Sequence, residues 1–207
     1  MPSADILSKG EVYLELDASF KTNNEASVKR FSSFVPRIVF GVGKNVEAGL
    51  NVIGNIQPGV DSTTLVPTVK WRFYQNEKKK LSLIAGNNFY IPLRNKKYKF
   101  GTYSYAAAAK TLGKTRITAG GYVYSKNVVA PSASRGGGQF AIEQTLNSKL
   151  AFAADWITGK HANGYFTPGL IYKPRKNVTA YLSYSIGNYA VKHGNHFFLF
   201  EIGYNFD

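Results

Sequence analysis

The chain has 207 residues, no cysteine, 44% hydrophobic and 14% aromatic residues, and a formal net charge of +14. This length suits one domain, the hydrophobic content excludes a disordered chain, and the absence of cysteine excludes a disulfide framework, a thiolate metal site and a cysteine nucleophile. No stretch approaches the roughly 20 continuous apolar residues of a transmembrane helix, and residues 1–9 hold no apolar run long enough for a secretion signal.

The predicted elements are twelve β-strands, because apolar and polar residues alternate with a period of two and no window sustains the pattern of an amphipathic helix. In chain order we predict the strands at 11–20, 33–42, 46–56, 64–74, 80–90, 100–111, 115–124, 138–144, 149–158, 164–172, 178–187 and 196–206. Most have about 9–11 residues, the length of a tilted strand that crosses a bilayer. Strands of soluble sandwiches average about 5–6 residues, so strand length favours a membrane barrel.

The predicted connections alternate between short and long. Short ones include Gly43-Lys44-Asn45 and Leu112-Gly113-Lys114. Transmembrane barrels have short periplasmic turns and longer external loops. The sequence therefore predicts an all-β, single antiparallel up-and-down transmembrane barrel over residues 1–207, in which residues 1–9 form a short periplasmic N-terminal segment.

Outward aromatic residues of these strands fall into two belts, as expected where rings lie at both membrane interfaces. We place the outer belt at Phe20, Phe34, Phe89, Tyr103, Trp156, Phe166, Tyr184 and Phe198, and the inner belt at Trp71, Phe73, Tyr172, Tyr204 and Phe206. Three outward prolines remove ladder donors and call for a bulge or an early strand boundary; they are Pro36, Pro67 and Pro168.

Most ionisable residues of the strands have inward parity, which predicts a polar interior, since an Arg or Lys facing lipid at the midplane costs about 2–4 kcal/mol. We predict the pore-lining residues to be Glu15, Asp17, Arg37, Glu47, Lys70, Arg72, Lys110, Arg116, Glu143, Asp155 and Glu201. Small inward residues, among them Ala106 and Ala108, leave space for an open lumen. We predict an external basic mouth at Arg94, Lys96, Lys97 and Lys99, which attracts anions by long-range steering.

The last strand resembles the closing strand of bacterial outer-membrane β-barrel proteins, since alternate residues from Phe198 to Phe206 are aromatic or apolar. In that group the terminal aromatic strand is an insertion signal, although here Asp207 follows the final Phe. The strand number and the basic character look like the small monomeric twelve-strand porins for acidic oligosaccharides. The resemblance implies a bacterial outer-membrane location, with a signal peptide already removed.

Other classes of function find little support in the sequence. His193 and His196 are three residues apart without a flanking carboxylate, and His161 is isolated, so we predict no metal site and no cofactor. Ser185 and His196 are the only candidate pair for a lipid-modifying enzyme at the outer rim. The basic residues lie at both ends of the strands and not on one face, which argues against nucleic-acid binding.

We therefore predict a porin or channel for passive diffusion of small hydrophilic solutes, with a weak anion preference. Its partners would be outer-membrane lipid and hydrophilic or anionic solutes, and we expect a monomer. Two alternatives stay open. One is a non-conducting anchor or adhesin that acts through the external loops; the other, which the sequence favours less, is the enzyme at the rim.

Overall fold

The computed structural model of the chain describes residues 3–22, 31–54, 63–94 and 99–206, with the backbone alone at residues 31 and 32. All twelve predicted strands are confirmed, and their ends differ from the prediction by three residues or fewer. They are β1 Val12–Lys21, β2 Phe31–Gly43, β3 Val46–Ile53, β4 Thr64–Asn76, β5 Leu81–Pro92, β6 Gly101–Leu112, β7 Thr115–Tyr124, β8 Gly136–Thr145, β9 Leu150–Ile157, β10 Tyr165–Arg175, β11 Val178–Gly187 and β12 His196–Phe206.

The strands form one closed antiparallel barrel in which each strand pairs with its sequence neighbours. The barrel closes between β1 and β12, which stay in register from Val12 opposite Phe206 to Phe20 opposite Phe198. The only helix in the described part of the chain is a single 3₁₀ turn at Val191–His193, which is too short to cross a membrane. The predicted all-β up-and-down barrel is confirmed.

The connections at the two ends of the barrel differ in length. At the end near β1's first residue they span two to four residues, whereas at the other end they span seven to eleven. The turn after β2 contains Lys44 and Asn45, both with positive φ (53° and 60°). Two consecutive left-handed residues make the tight hairpin turn whose twist matches the flanking strands. We call the short-turn end inner and the long-loop end outer.

The outer surface of the barrel carries a broad belt of exposed apolar side chains. Trp71, Trp156 and Phe198 remain between 44% and 51% exposed. Phe20 of β1 stacks on Phe198 of β12, with ring centroids 5.6 Å apart. Such a contiguous apolar surface is unsuited to water, and it is the surface that a barrel presents to lipid.

One strand, β6, presents to the lumen the side chains that we had predicted to face lipid. In β6, Tyr105 lies opposite Gly86 and Tyr103 opposite Asn88, so both tyrosines point inward. Tyr103 therefore does not belong to the outer aromatic belt. The residues of opposite parity point outward instead, contrary to prediction: Ala106, Ala108 and Lys110.

The inward tyrosines of β6 have a physical reason. The Tyr103 hydroxyl donates a hydrogen bond of 2.8 Å to Gln139 Oε1 in the interior, a partner that lipid would not supply. Small residues such as Thr102 and Ser104 take the outward positions. Lys110 lies near the inner end of β6, where a long side chain reaches the headgroup region.

The three outward prolines lie within strands, where each removes a backbone donor. The β4–β5 pairing has no register partners between Leu65 and Thr68, the stretch that contains Pro67. The β10–β11 pairing is interrupted in the same way around Pro168. Pro36 lies just before the point where β2 starts to pair with β3. Each proline is thus tolerated because the ladder stops beside it on one side.

Candidate channel lumen

The barrel encloses a central cavity of about 1000 Å³, the main lumen, and ten of the eleven predicted pore-lining residues face the interior. Nine of them line the main lumen: Glu15, Asp17, Arg37, Glu47, Lys70, Arg116, Glu143, Asp155 and Glu201. Arg72 lines a smaller cavity at the inner end. Lys110, on the outer surface, is the exception. Among the described residues, seven carboxylates, Asp5 included, and three cationic side chains line the main lumen, so acidic residues predominate in that part of its wall.

Each cation of the main lumen is bound to a carboxylate on a neighbouring strand. Lys70 of β4 lies 2.7 Å from Glu47 of β3, and both side chains are nearly buried, with 12% and 10% exposed. Arg37 of β2 donates to Glu15 of β1 at 2.8 Å. These pairs join residues that are direct partners in register, the closest approach that a sheet offers.

Arg116 of β7 makes two ion pairs. One guanidinium nitrogen lies 2.6 Å from Glu143 of β8, its partner in register. The other lies 2.7 Å from Asp5, which precedes the barrel in sequence. Arg116 thus connects the wall to the N-terminal segment.

A group of carboxylates stands beside the closing strands. Asp17 of β1 is the register partner of Glu201 of β12, and with Glu15 their oxygens lie within 4.8 Å of one another. Among the described residues, Arg37, bound to Glu15, is the cation at this group. Three acidic side chains stand beside one guanidinium in this part of the lumen, and ionised carboxylates in a channel wall attract cations.

The opposite wall of the lumen is aromatic. Tyr103 and Tyr105 of β6 lie with ring centroids 5.4 Å apart, and Tyr124 of β7 lies 4.8 Å from Tyr103. The Tyr105 ring covers Gly86 of β5, where a Cβ would lie 2.3 Å from the phenol oxygen. Glycine therefore makes room for a flat ring on the wall. We did not predict this aromatic wall, because the parity that we assigned to β6 turned Tyr103 and Tyr105 toward lipid.

At the outer end, the loop between β9 and β10 (residues 158–164) folds inward. His161 is 2% exposed and lies edge-on to Tyr124, with centroids 5.2 Å apart. Its Nδ1 accepts a hydrogen bond from the Asn163 amide (3.2 Å), and its Nε2 lies 3.0 Å from the carbonyl oxygen of Thr158. Burial lowers the pKa of His161, so the imidazole is held neutral. Asn163 itself lines the lumen.

At the inner end, residues 3–9 enter the barrel, whereas we had predicted a periplasmic segment over 1–9; residues 1 and 2 lie outside the described residues. Ser3, Asp5 and Leu7 line the main lumen. Nothing in the alternation indicated this position, because a segment that crosses a lumen has no lipid face and no periodicity of two. The one available signal was Asp5, a carboxylate with no strand partner in the predicted sheet.

The structure describes two of the four residues of the predicted basic mouth. Arg94 and Lys99 are exposed in the connection between β5 and β6. Lys96 and Lys97 lie outside the described residues.

The candidate pair for an enzyme at the rim is not brought together. The Ser185 side chain points into the lumen and lies 3.2 Å from the Thr167 hydroxyl. His196 has the opposite parity, and its ring bonds to the outward Tyr184 hydroxyl. The barrel wall therefore separates the two side chains, and they cannot form a nucleophile–base pair.

Comparison with known proteins shows a likeness in fold. No protein-family model matches the sequence, and neither does any curated protein. Among solved structures, an outer-membrane channel of Pseudomonas putida F1 superposes over 100% of this chain and 99% of its own, with a TM-score of 0.55 and 14% identity. Outer membrane phospholipase A of Escherichia coli superposes over 99% and 95%, with a TM-score of 0.54 and 14% identity. The chain has the fold of bacterial outer-membrane β-barrels.

Proposed function

We propose that the protein is an outer-membrane channel through which small hydrophilic solutes diffuse passively. The observation that carries this proposal is the main lumen, a cavity of about 1000 Å³ with charged and polar side chains on its wall. Barrels of about eight strands can fill their interior with packed side chains, whereas this barrel keeps a cavity. The fold favours no function by itself, since one structural neighbour is named a channel and another a phospholipase.

The wall of the lumen supports a preference for cations. In the part of the wall that the structure describes, seven carboxylates face three cations, and all three of these cations are bound to carboxylates. The weak anion preference that we predicted depends on the excess of basic residues at the two rims of the barrel. It therefore stays a prediction for the mouth, whereas we propose that Asp17 and Glu201 set the sign of selectivity inside.

Single-channel recording in planar bilayers tests the proposal. Refolded protein should give resolvable current steps, and the reversal potential in a potassium chloride gradient should have the sign of cation selectivity. Folding is checked by the heat-dependent shift of the barrel in gel electrophoresis. Correctly folded protein that never conducts, with or without residues 1–9, would rule out the channel and leave the anchor or adhesin as the better explanation.

A further inference from the structure

Residues 3–9, which we call the N-terminal strap, cross the inner end of the barrel. The carbonyl oxygen of Ser3 accepts a hydrogen bond from Lys70 Nζ of β4 (3.2 Å), and the Leu7 amide donates to Glu47 Oε2 of β3 (3.1 Å). Asp5 binds Arg116 of β7 at 2.7 Å. Because β3 and β7 lie four strands apart in a closed barrel of twelve, these contacts fix the strap across the opening and not along one wall.

The strap is packed as well as hydrogen-bonded. Ala4 is buried in one apolar cluster with Ile84 of β5 and with Ala107 and Ala109 of β6. At the other end of the strap, Ser8 lies on Gly41 of β2, where a Cβ would come 1.7 Å from the Ser8 carbonyl oxygen. Only glycine at position 41 allows the strap to lie this close to the wall.

The strap separates two cavities. Ser3, Asp5 and Leu7 line the main lumen on one side. On the other side lies an inner cavity of about 360 Å³, lined by Ala4 and by residues of the β4–β5 turn such as Glu77 and Lys80. Asp5 and Arg116 line both cavities. The ion pair between them therefore stands in the partition.

We propose that the N-terminal strap is a plug that closes the inner end of the lumen, and that the Asp5–Arg116 ion pair is its latch. This proposal rests on the proposed channel function. Solutes that enter from the outer end reach the main lumen but pass onward only when the strap leaves the wall. The Asp5 side chain is 72% exposed, and ion pairs of such exposure are weak. The latch is therefore reversible, and high salt weakens it.

Conductance of strap variants tests the plug. Deletion of residues 1–8 should raise the conductance several-fold, and Asp5→Asn should raise the fraction of time spent open, more at low salt than at high salt. Gly41→Ala should also open the channel, because the added methyl group must displace Ser8. One matched control is Lys110→Gln, which removes a charge from the lipid-facing surface near the inner end. The other is Gly121→Ala, where the added Cβ meets its nearest neighbour at an ordinary 3.7 Å. Both should conduct like the wild type.

Thiol labelling gives a readout that does not depend on current. The chain has no cysteine, so Ala4→Cys introduces a single thiol within the buried cluster. A water-soluble maleimide should modify it slowly in the otherwise wild-type protein and at least tenfold faster when Asp5→Asn is added. Fast labelling without Asp5→Asn overturns the plug, and so does a measurable conductance that is equal in the wild type and the deletion. Absence of current from every variant, with slow labelling that Asp5→Asn accelerates, overturns the channel and supports the strap's closed position.

Discussion

The Tyr13 ring of β1 lies over Gly203 of β12, across the two strands that close the barrel. A Cβ at position 203 would lie 1.9 Å from the Tyr13 phenol oxygen, which donates a 2.8 Å hydrogen bond to Glu15. Glycine at 203 thus allows a ring to brace the junction between the first and last strands and to hold one carboxylate of the lumen.

Gly203→Ala should therefore destabilise the barrel. The methyl group must displace the Tyr13 ring and break its bond to Glu15, and overpacking of this kind costs about 1–3 kcal/mol. The free energy of unfolding can be measured by urea titration in lipid vesicles. Gly121→Ala is the control, since an added methyl group there meets no close neighbour. Equal urea midpoints for both variants would show that Tyr13 does not brace the closing strands.

Lys70 and Glu47 should depend on each other for stability. Both side chains are nearly buried, so Lys70→Met leaves the Glu47 carboxylate with little water and without its cation; loss of one partner of a buried pair costs about 3–5 kcal/mol. Lys70→Met combined with Glu47→Leu should cost clearly less than the sum of the single changes. Urea titration of all four proteins measures this coupling. Additive effects would mean that water in the lumen screens the pair.

Charge selectivity should follow the carboxylates at the closing strands. Asp17→Asn and Glu201→Gln, made together, remove two of the three acidic side chains beside Arg37, so the reversal potential should shift toward anion selectivity. Arg37→Gln should shift it in the opposite direction. The measurement is the reversal potential in a potassium chloride gradient. No shift in either direction would place the selectivity of the channel outside this group.

The strands and the inward acids could be predicted from the sequence, because a wall between lipid and water imposes alternation on every strand. The inward and outward faces of β6 could not be assigned in this way, since its run of four alanines, 106–109, shows no alternation of polar and apolar residues. The tyrosines beside that run are amphipathic and suit either side of the wall. The N-terminal strap could not be predicted, because its position depends on ion pairs to distant strands and not on local periodicity.

The loop over the outer end should loosen as the pH falls. His161 is neutral and buried, and its Nδ1 accepts the Asn163 amide; a proton on Nδ1 would put two donors face to face. Its pKa is lowered in the folded loop, so the stability from the neutral ring is complete above the pKa of a free imidazole, about 6.5. That stability declines as the pH falls below this value, until the lowered pKa is reached.

Amide hydrogen exchange of residues 158–164 should therefore be faster at pH 5.5 than at pH 7.5, after correction for intrinsic rates. His161→Gln should abolish this difference, whereas His193→Gln, at an exposed histidine of another outer loop, should retain it; a difference that persists in His161→Gln would assign the pH dependence to another group.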